Sequence, residues 1–216
     1  TISVTVSGTS GPDVTKDATT NLDGTWSVEM GTVDGLADGT LTITATGSDA
    51  AGNAAVQASK TVTYDDVAPV IAIDGTLEGD NKVNSSEDGH VVVTGTVTVS
   101  GVHADLIGKT VNVTLTDADS LSVSTTAVVL SSGKFVAEAV DIGAFKDGNI
   151  TVAANVSDPA GNSTAASTKT ITLDNVVPTI SIAGTLMGDN IVNKGDDDVV
   201  VISGTTTNVE DAQNVT

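Results

Sequence analysis

The 216-residue sequence has no cysteine and no arginine, and it contains one Trp, one Tyr and two Phe. Without cysteine no disulfide can hold the fold together, although extracellular domains of this size often carry one. Its positive charge comes from eight lysines against 28 acidic residues, which leaves a net charge of −20. Phosphate binding needs clustered Lys or Arg, so the charge argues against nucleic acid and anionic membrane surfaces as partners. No apolar run approaches the ~18 residues of a membrane span, so no membrane insertion is expected.

The sequence does have a long internal repeat. The segment 110–182 lies over the segment 1–73 at a constant offset of 109 residues without a gap. The string Asp-x-x-Gly-Asn at 49–53 falls on 158–162 in this alignment. A period this long is a whole domain, because solenoid repeats run at about 20–50 residues. The chain is therefore a stretch of a tandem array.

The composition and the local pattern both favour strands. Thr, Val, Ile and Ser dominate the sequence, and apolar and polar residues alternate with period two. The fold class predicted is all-β, with tandem Ig-like antiparallel β-sandwiches in an elongated, beads-on-a-string arrangement. Trp26 and Phe135 occupy the same repeat position, so each copy is expected to have one bulky central residue. Seven strands are predicted in the complete copy, at 70–74, 91–99, 110–116, 122–130, 134–140, 149–157 and 167–173.

Domain boundaries are expected at the two Asp-x-x-x-Pro strings, 65–69 and 174–178, because proline favours a short, stiff connector. On this interpretation 66–174 is a complete Ig-like repeat, 1–65 the C-terminal portion of a preceding repeat, and 175–216 the N-terminal portion of the next. These end portions complement each other. Either they are arbitrary cuts in a longer protein, or the terminal strands of one chain complete the first domain of another, head to tail.

Carboxylate and amide side chains recur beside both boundaries. The chain enters a seven-strand sandwich at one end and leaves it at the other, so the loop before the last strand should meet the incoming linker. Two further loops should flank the outgoing linker. The predicted metal ligands are Asp65, Asp66, Asp158 and Asn162 at the incoming end, and Asp80, Asn81, Asp147, Asp174 and Asn175 at the outgoing end.

Calcium is the ion that suits these side chains. Ca²⁺ takes six to eight oxygen ligands and tolerates irregular geometry, whereas Mg²⁺ demands stricter octahedral ligation. Zinc and copper would favour His or Cys as ligands. The chain has two histidines and no cysteine. The alternative is turn chemistry alone, because Asp and Asn are ordinary turn residues that need no metal.

A further candidate, Asp117-Ala-Asp119, begins like a helix-loop-helix calcium loop. It lacks the glycine at the sixth place and the glutamate at the twelfth. The other copy has Gly8 and Ser10 at the equivalent places. Any metal bound here would therefore not be a property of the repeat.

The order Asp-x-x-Gly-Asn, Asp-x-x-x-Pro and Gly-Asp-Asn-x-x-Asn resembles tandem bacterial immunoglobulin-like domains of large repeats-in-toxin (RTX) adhesins. The resemblance covers essentially the whole chain, although the glycine-rich calcium nonapeptide of RTX C-terminal regions is absent. It implies a secreted, surface-retained bacterial adhesin in which such domains form an extender arm that junction calcium stiffens. The chain would then not be an enzyme, and its partners would be calcium and neighbouring repeats. The alternatives are a module that binds glycan or a host protein, and an accessory domain of a secreted hydrolase.

Overall fold

The computed structural model describes residues 1–98, 106–186, 188–195 and 200–209. The all-β prediction is confirmed, and within these ranges no helix is long and apolar enough to cross a membrane. A 3-10 helix lies at Asp88–His90. The strands are β1 (Ile2–Ser7), β2 (Val14–Ala18), β3 (Gly39–Gly47), β4 (Ala58–Tyr64), β5 (Val70–Ile73), β6 (Lys82–Asn84), β7 (Thr94–Thr98), β8 (Thr110–Thr116), β9 (Ser122–Val128), β10 (Lys134–Val136), β11 (Gly148–Val156), β12 (Ser167–Asp174), β13 (Thr179–Ile182) and β14 (Gly204–Thr207).

Two sheets form the complete repeat. One has the order β6-β12-β11-β8-β9 and the other the order β10-β7-β5. Alternation places Val111, Val113 and Leu115 of β8 on one face, where all three are fully buried. Residues from both sheets join a single hydrophobic cluster, so the repeat is a β-sandwich.

Phe135 is the bulky residue at the centre of this sandwich, and its side chain is fully buried. It lies against Gly95 of the neighbouring strand β7, where the absence of a side chain makes room for the ring. A light core with few large residues therefore depends on a matched pair of one aromatic ring and one glycine.

The structure adds a strand that sequence patterning did not predict and shortens several others. The three-residue β6 pairs with β12 in parallel, the one parallel pair among the strands of the described ranges. In the predicted strand at 134–140, regular pairing with β7 is limited to residues 134–136. Beyond them, Glu138 N–H donates to Thr126 O of β9, in the other sheet, at 3.2 Å. Val91 joins Val140 through an isolated bridge rather than within the predicted strand at 91–99.

The end portions hold single sheets. Residues 1–65 form the sheet β2-β1-β3-β4, which corresponds to the larger sheet of the complete repeat without β6. Residues 175–209 contribute β13 and β14, which correspond to β5 and β7. Ile180, Ile182 and Ile202 are consequently exposed. The boundaries at 65 and 174, and the pairing of end portions between chains, stay predictions.

Trp26 corrects one expectation. It was expected to be internal like Phe135, but it is 41 % exposed. Within 1–65 there is no counterpart of β7, whose Gly95 lies against the Phe135 ring in the complete repeat. Trp26 and Phe135 therefore occupy the same repeat position, but only Phe135 is packed against a second sheet.

The substitution Gly95→Ala tests the pairing of ring and glycine. A methyl group at residue 95 would lie 2.6 Å from the Phe135 ring and would also press on the carbonyl of Ala72. We expect a loss of about 1–3 kcal/mol in the free energy of unfolding, as in other overpacked cores. Urea denaturation followed by circular dichroism measures it. The control is Gly75→Ala, whose methyl would meet nothing within 4 Å; equal midpoints for the two variants would contradict the expectation.

Candidate functional site

The two linkers begin with the same turn. Val67 N–H donates to Asp65 Oδ1 (3.1 Å) in the first linker, and Val176 N–H donates to Asp174 Oδ1 (3.0 Å) in the second. Such bonds from a carboxylate to the backbone two residues on define Asx turns. One oxygen of each of these two predicted ligands is therefore already used to shape its linker.

A second carboxylate holds each linker from the side. Asp147 Oδ1, in the loop before β11, accepts from Asn175 N–H at 3.1 Å. Asp38, at the equivalent place before β3, accepts from Asp66 N–H at 3.2 Å. The structure thus brings the predicted residues Asp147 and Asn175 together. It also assigns the same role to Asp38, which the offset of 109 residues from Asp147 could have revealed.

At the incoming end, the side-chain amide of Asn162 connects the linker to the loop before the last strand. Asn162 Nδ2 donates to the backbone carbonyl of Asp65 (3.0 Å) and to Asp158 Oδ2 (2.9 Å). Asp158 is buried, and its Oδ1 accepts from the N–H groups of Gly161 and Asn162 at 2.8 and 2.9 Å. Three predicted residues therefore meet here, but the linker is held through its backbone oxygen.

Asp66, the fourth predicted residue at this end, faces the preceding strand. Its Oδ2 accepts from the hydroxyl of Tyr64 at 2.9 Å. That bond, together with burial and the carboxylates nearby, raises the pKa of Tyr64 to about 12. The contact ties the linker to the end of β4.

At the outgoing end a buried oxygen of Asn175 lacks a partner. Asn175 Nδ2 donates to Asp88 Oδ2 at 2.9 Å, while Asn175 Oδ1 is buried and accepts no hydrogen bond. Asp88 comes from the 3-10 helix, which Ile142 N–H holds through Asp88 O (2.8 Å). A buried acceptor without a donor costs about 1–3 kcal/mol, so its presence beside a carboxylate requires an explanation.

Gly143 leaves space between two carboxylates at the same place. A methyl group on Gly143 would lie 3.0 Å from Asp88 Oδ2 and 3.2 Å from Asp141 Oδ1. We refer to Asp88, Asp141 and Asn175 as the outgoing site. Neither Asp88 nor Asp141 was predicted, and Asp141 could not be found from the repeat because Thr32 stands at its equivalent place.

Asp80 and Asp174 line a neighbouring cleft of about 340 Å³, together with Glu87 and with Asn208 from beyond the linker. Asp80 Oδ1 accepts from Lys82 N–H at 2.8 Å. The structure thus brings these two predicted ligands to one acidic cleft beside the outgoing linker.

Asn81 instead closes its own turn. Its Oδ1 accepts from Leu77 N–H (2.9 Å) and its Nδ2 donates to Gly75 O (3.4 Å). Asn190 makes the corresponding bond with Leu186 N–H at 2.7 Å. The side chain has the same turn role in both copies.

Asp117 is likewise a turn residue. It is buried, its Oδ1 accepts from Asp119 and Leu121 N–H at 2.9 Å each, and its Oδ2 accepts from Lys146 N–H at 3.0 Å. The bond from Lys146, with those from the turn, lowers the pKa of Asp117. Both carboxylate oxygens of Asp117 therefore accept hydrogen bonds from backbone N–H groups.

Over the described ranges, no three side chains drawn from His, Cys, Asp and Glu lie close enough together to hold a metal ion. The outgoing site differs in kind, because it combines two carboxylates with an amide oxygen. Whether the nine predicted residues bind metal stays a prediction.

No protein-family model matches the sequence, and no curated protein matches it. Among solved structures, a tetra-tandem repeat in the extending region of a large adhesion protein is 26 % identical with a TM-score of 0.43, covering 97 % of this chain and 49 % of that chain. A Ca²⁺-stabilized adhesin that helps an Antarctic bacterium reach out and bind ice is 25 % identical with a TM-score of 0.42, covering 95 % and 48 %. A structure from a 1.5-MDa bacterial ice-binding adhesin, concerned with host cell surface retention, is 26 % identical with a TM-score of 0.41, covering 81 % and 54 %.

This chain thus spans about half the length of the structures it matches. All three TM-scores lie below 0.5, so what is proposed for this chain rests on its own residues.

The turn at Asp158 should make stability depend on acid. Burial tends to raise the pKa of Asp158, but hydrogen bonds from Asn162 and Gly161 outweigh it and hold the pKa below the ordinary 3.8. Its stabilisation is present above the unfolded pKa and is lost as pH falls through the folded pKa. Asp158→Asn should therefore destabilise the chain at neutral pH and flatten the stability profile between about pH 5 and pH 2.

Thermal melts across that pH range measure the effect. Glu138→Gln is the control, because it removes one exposed charge from the same repeat, and no hydrogen bond joins the Glu138 side chain to another residue of the described ranges. Identical pH profiles for Asp158→Asn and Glu138→Gln would show that the Asp158 carboxylate does not stabilise the turn.

Proposed function

We propose that this chain is an extender segment of a bacterial cell-surface adhesin, in which calcium at the domain junctions holds consecutive β-sandwiches in a fixed relation. The chain would act outside the cell, without catalysis, and would project a distal binding region of the parent protein. The observation that carries the proposal is the buried, unpartnered Oδ1 of Asn175, the second residue of the outgoing linker, beside the carboxylate of Asp88.

The chemistry of the outgoing site fits calcium. Two carboxylates and one amide oxygen are hard oxygen donors of the kind that Ca²⁺ takes, with waters completing six to eight ligands. Asp88 is half-buried and Asp141 is exposed, so solvent can supply those waters. A bound cation would give Asn175 Oδ1 the partner it lacks and would offset the repulsion between the carboxylates.

The chain's own residues supply the remaining rigidity. Asp147 accepts from the backbone of Asn175, and Asn175 Nδ2 donates to Asp88, so the second linker residue is held at two points. Bound calcium would add a third point and neutralise charge. Because Asn175 belongs to the linker whereas Asp88 and Asp141 belong to the sandwich, ligation would fix the direction in which the chain leaves.

At the incoming end fewer side-chain oxygens are left without hydrogen-bond partners, so the support for calcium is weaker there. Asp65, Asp158 and Asn162 meet there, but Asp158 is satisfied by N–H donors and Asn162 uses its Nδ2 on Asp65 O. We propose Asp65 and Asp66 as the residues of this end with oxygens left for a cation. At the acidic cleft we propose Asp80 and Asp174.

The module that binds glycan or a host protein is disfavoured by the complete repeat. Recognition of such ligands commonly uses exposed aromatic rings. Both aromatic residues of the complete repeat, Phe135 and Phe145, are buried. An arm made of such repeats is better suited to act as a spacer than to bind a glycan or a host protein.

Binding of calcium at the outgoing site can be tested without changing charge. Gly143→Ala should place a methyl group between Asp88 and Asp141, and it should weaken binding there by about 10- to 100-fold, as disturbed ligand support does elsewhere. Peptide-resolved hydrogen exchange over 174–178 during a calcium titration reports binding at the outgoing linker, and Gly143→Ala changes the outgoing site without changing the residues that line the acidic cleft. The control is Gly75→Ala, which leaves the site intact. Equal calcium-dependent protection in both variants would refute the assignment.

Calcium should also change the dimensions of the chain. We expect an elongated particle in calcium and, after chelation, a shorter average dimension and a lower melting temperature, because carboxylates at each junction then repel one another. Small-angle scattering and thermal melts measure both, and magnesium at equal ionic strength controls for screening. Scattering and melting unchanged by chelation would remove calcium from the account of this arm.

A further inference from the structure

The segment that enters the complete repeat runs alongside the strand that leaves it. Ile73 N–H donates to Ser167 Oγ at 3.3 Å, and Lys169 Nζ donates to Gly75 O at 2.6 Å. Thr172 N–H then donates to Asn81 O at 2.9 Å. We refer to these contacts, with the pairing of β6 and β12, as the seam.

The contacts of the seam occur in the same order along both segments. Advancing from residue 73 to residue 84 on one segment accompanies the advance from 167 to 174 on the other, and the seam ends with Val83 beside Leu173 and Asn84 beside Asp174. The two segments therefore point the same way along the repeat. Val83 and Leu173 are each 1 % exposed, so the seam is anchored in the core.

This direction decides how the repeat meets tension. Tension along the array enters through the linker before β5 and leaves through the linker after β12. It draws the two segments in opposite directions along their own lengths, so the contacts of the seam are sheared side by side. Strands pulled apart from one end, as in an opened hairpin, instead lose their contacts one after another.

We propose that the seam is the tension-resisting element of the repeat, with Lys169 as the side chain that ties the departing strand to the entering segment. This inference rests on the proposed extender role, since only an arm under tension needs it. The other copies carry matching residues: Lys60 stands at the place of Lys169, and Gly184 at the place of Gly75. The seam needs no bound ion.

The absence of cysteine makes a direct test simple, because two introduced cysteines are the only attachment points for handles. One full-length variant carries Ala68→Cys and Val177→Cys, which load the seam along its length. A second carries Thr110→Cys and Val128→Cys, which face each other across β8 and β9 and load those strands at one end. Both are pulled in chelator at one loading rate, so the calcium proposal does not enter the result.

The expected unfolding force is about twofold higher along the seam than across β8 and β9, since forced unfolding follows the barrier that the load must cross. Adding Lys169→Met, which keeps the aliphatic stem, should lower the force along the seam and leave the other axis unchanged. Lys134→Met, an exposed lysine on β10, is the matched control and should change neither.

Equal forces along both axes in the parent sequence would overturn the proposal. So would an equal drop along both axes with Lys169→Met, because that is the result of general destabilisation. If scattering in calcium showed no elongated particle while the seam still resisted shear, the extender role would fail and the mechanical assignment would stand.

Discussion

The structure at each junction depends on carboxylates that accept hydrogen bonds from the linker backbone. Asp38 and Asp147 accept from the second residue of each linker, whose side chain is Asp66 in one copy and Asn175 in the other. Because the donor is a backbone N–H, the bond survives this change of side chain. The linker keeps one geometry while its side chain is free to differ in charge between junctions.

The same use of carboxylates explains how so acidic a chain can fold. In the described ranges the one ion pair joins Lys146 and Asp119, both exposed, and such pairs contribute roughly 0–1 kcal/mol. The buried carboxylates Asp117 and Asp158 are instead satisfied by backbone N–H groups. These hydrogen bonds satisfy the individual carboxylates, but they do not compensate the net negative charge. The proposed calcium ion would offset part of it beside Gly143, where Asp88 and Asp141 both lie.

Sequence reasoning was strongest where local pattern and repeat agree. The strand at 110–116 has the predicted bounds, because alternation in Val111-Asn-Val-Thr-Leu115 places its apolar residues on one buried face. It failed for β6, since three residues carry no period and their pairing with β12 is set by tertiary structure. The prediction of an internal Trp26 failed for a related reason: burial depends on which strands cover a position, and a repeat alignment does not record that.

For the candidate site, sequence identified residues beside the junctions but could not say which oxygens remain free. Asn81 and Asp158 have the residue types of ligands, yet their side chains complete turns. Asp88 is far from the linker along the chain, and it reaches Asn175 because the 3-10 helix packs against the loop at Ile142. The same loop carries Asp141, which lies with Asp88 beside Gly143. Composition and spacing define the neighbourhood, whereas hydrogen bonds define the roles.

The seam and the outgoing site meet at consecutive residues. Asp174 ends the pairing of β12 with Asn84, and the next residue, Asn175, bonds to Asp88. Tension leaving the repeat must therefore pass from the sheared strand into the residue that the outgoing site holds. Since Asp88 lies only four residues beyond Asn84, the partners of Asp174 and Asn175 both belong to the segment that enters the repeat. In the proposed extender, resistance to stretching and control of linker direction are thus separate properties, located in adjacent residues of one path through the domain.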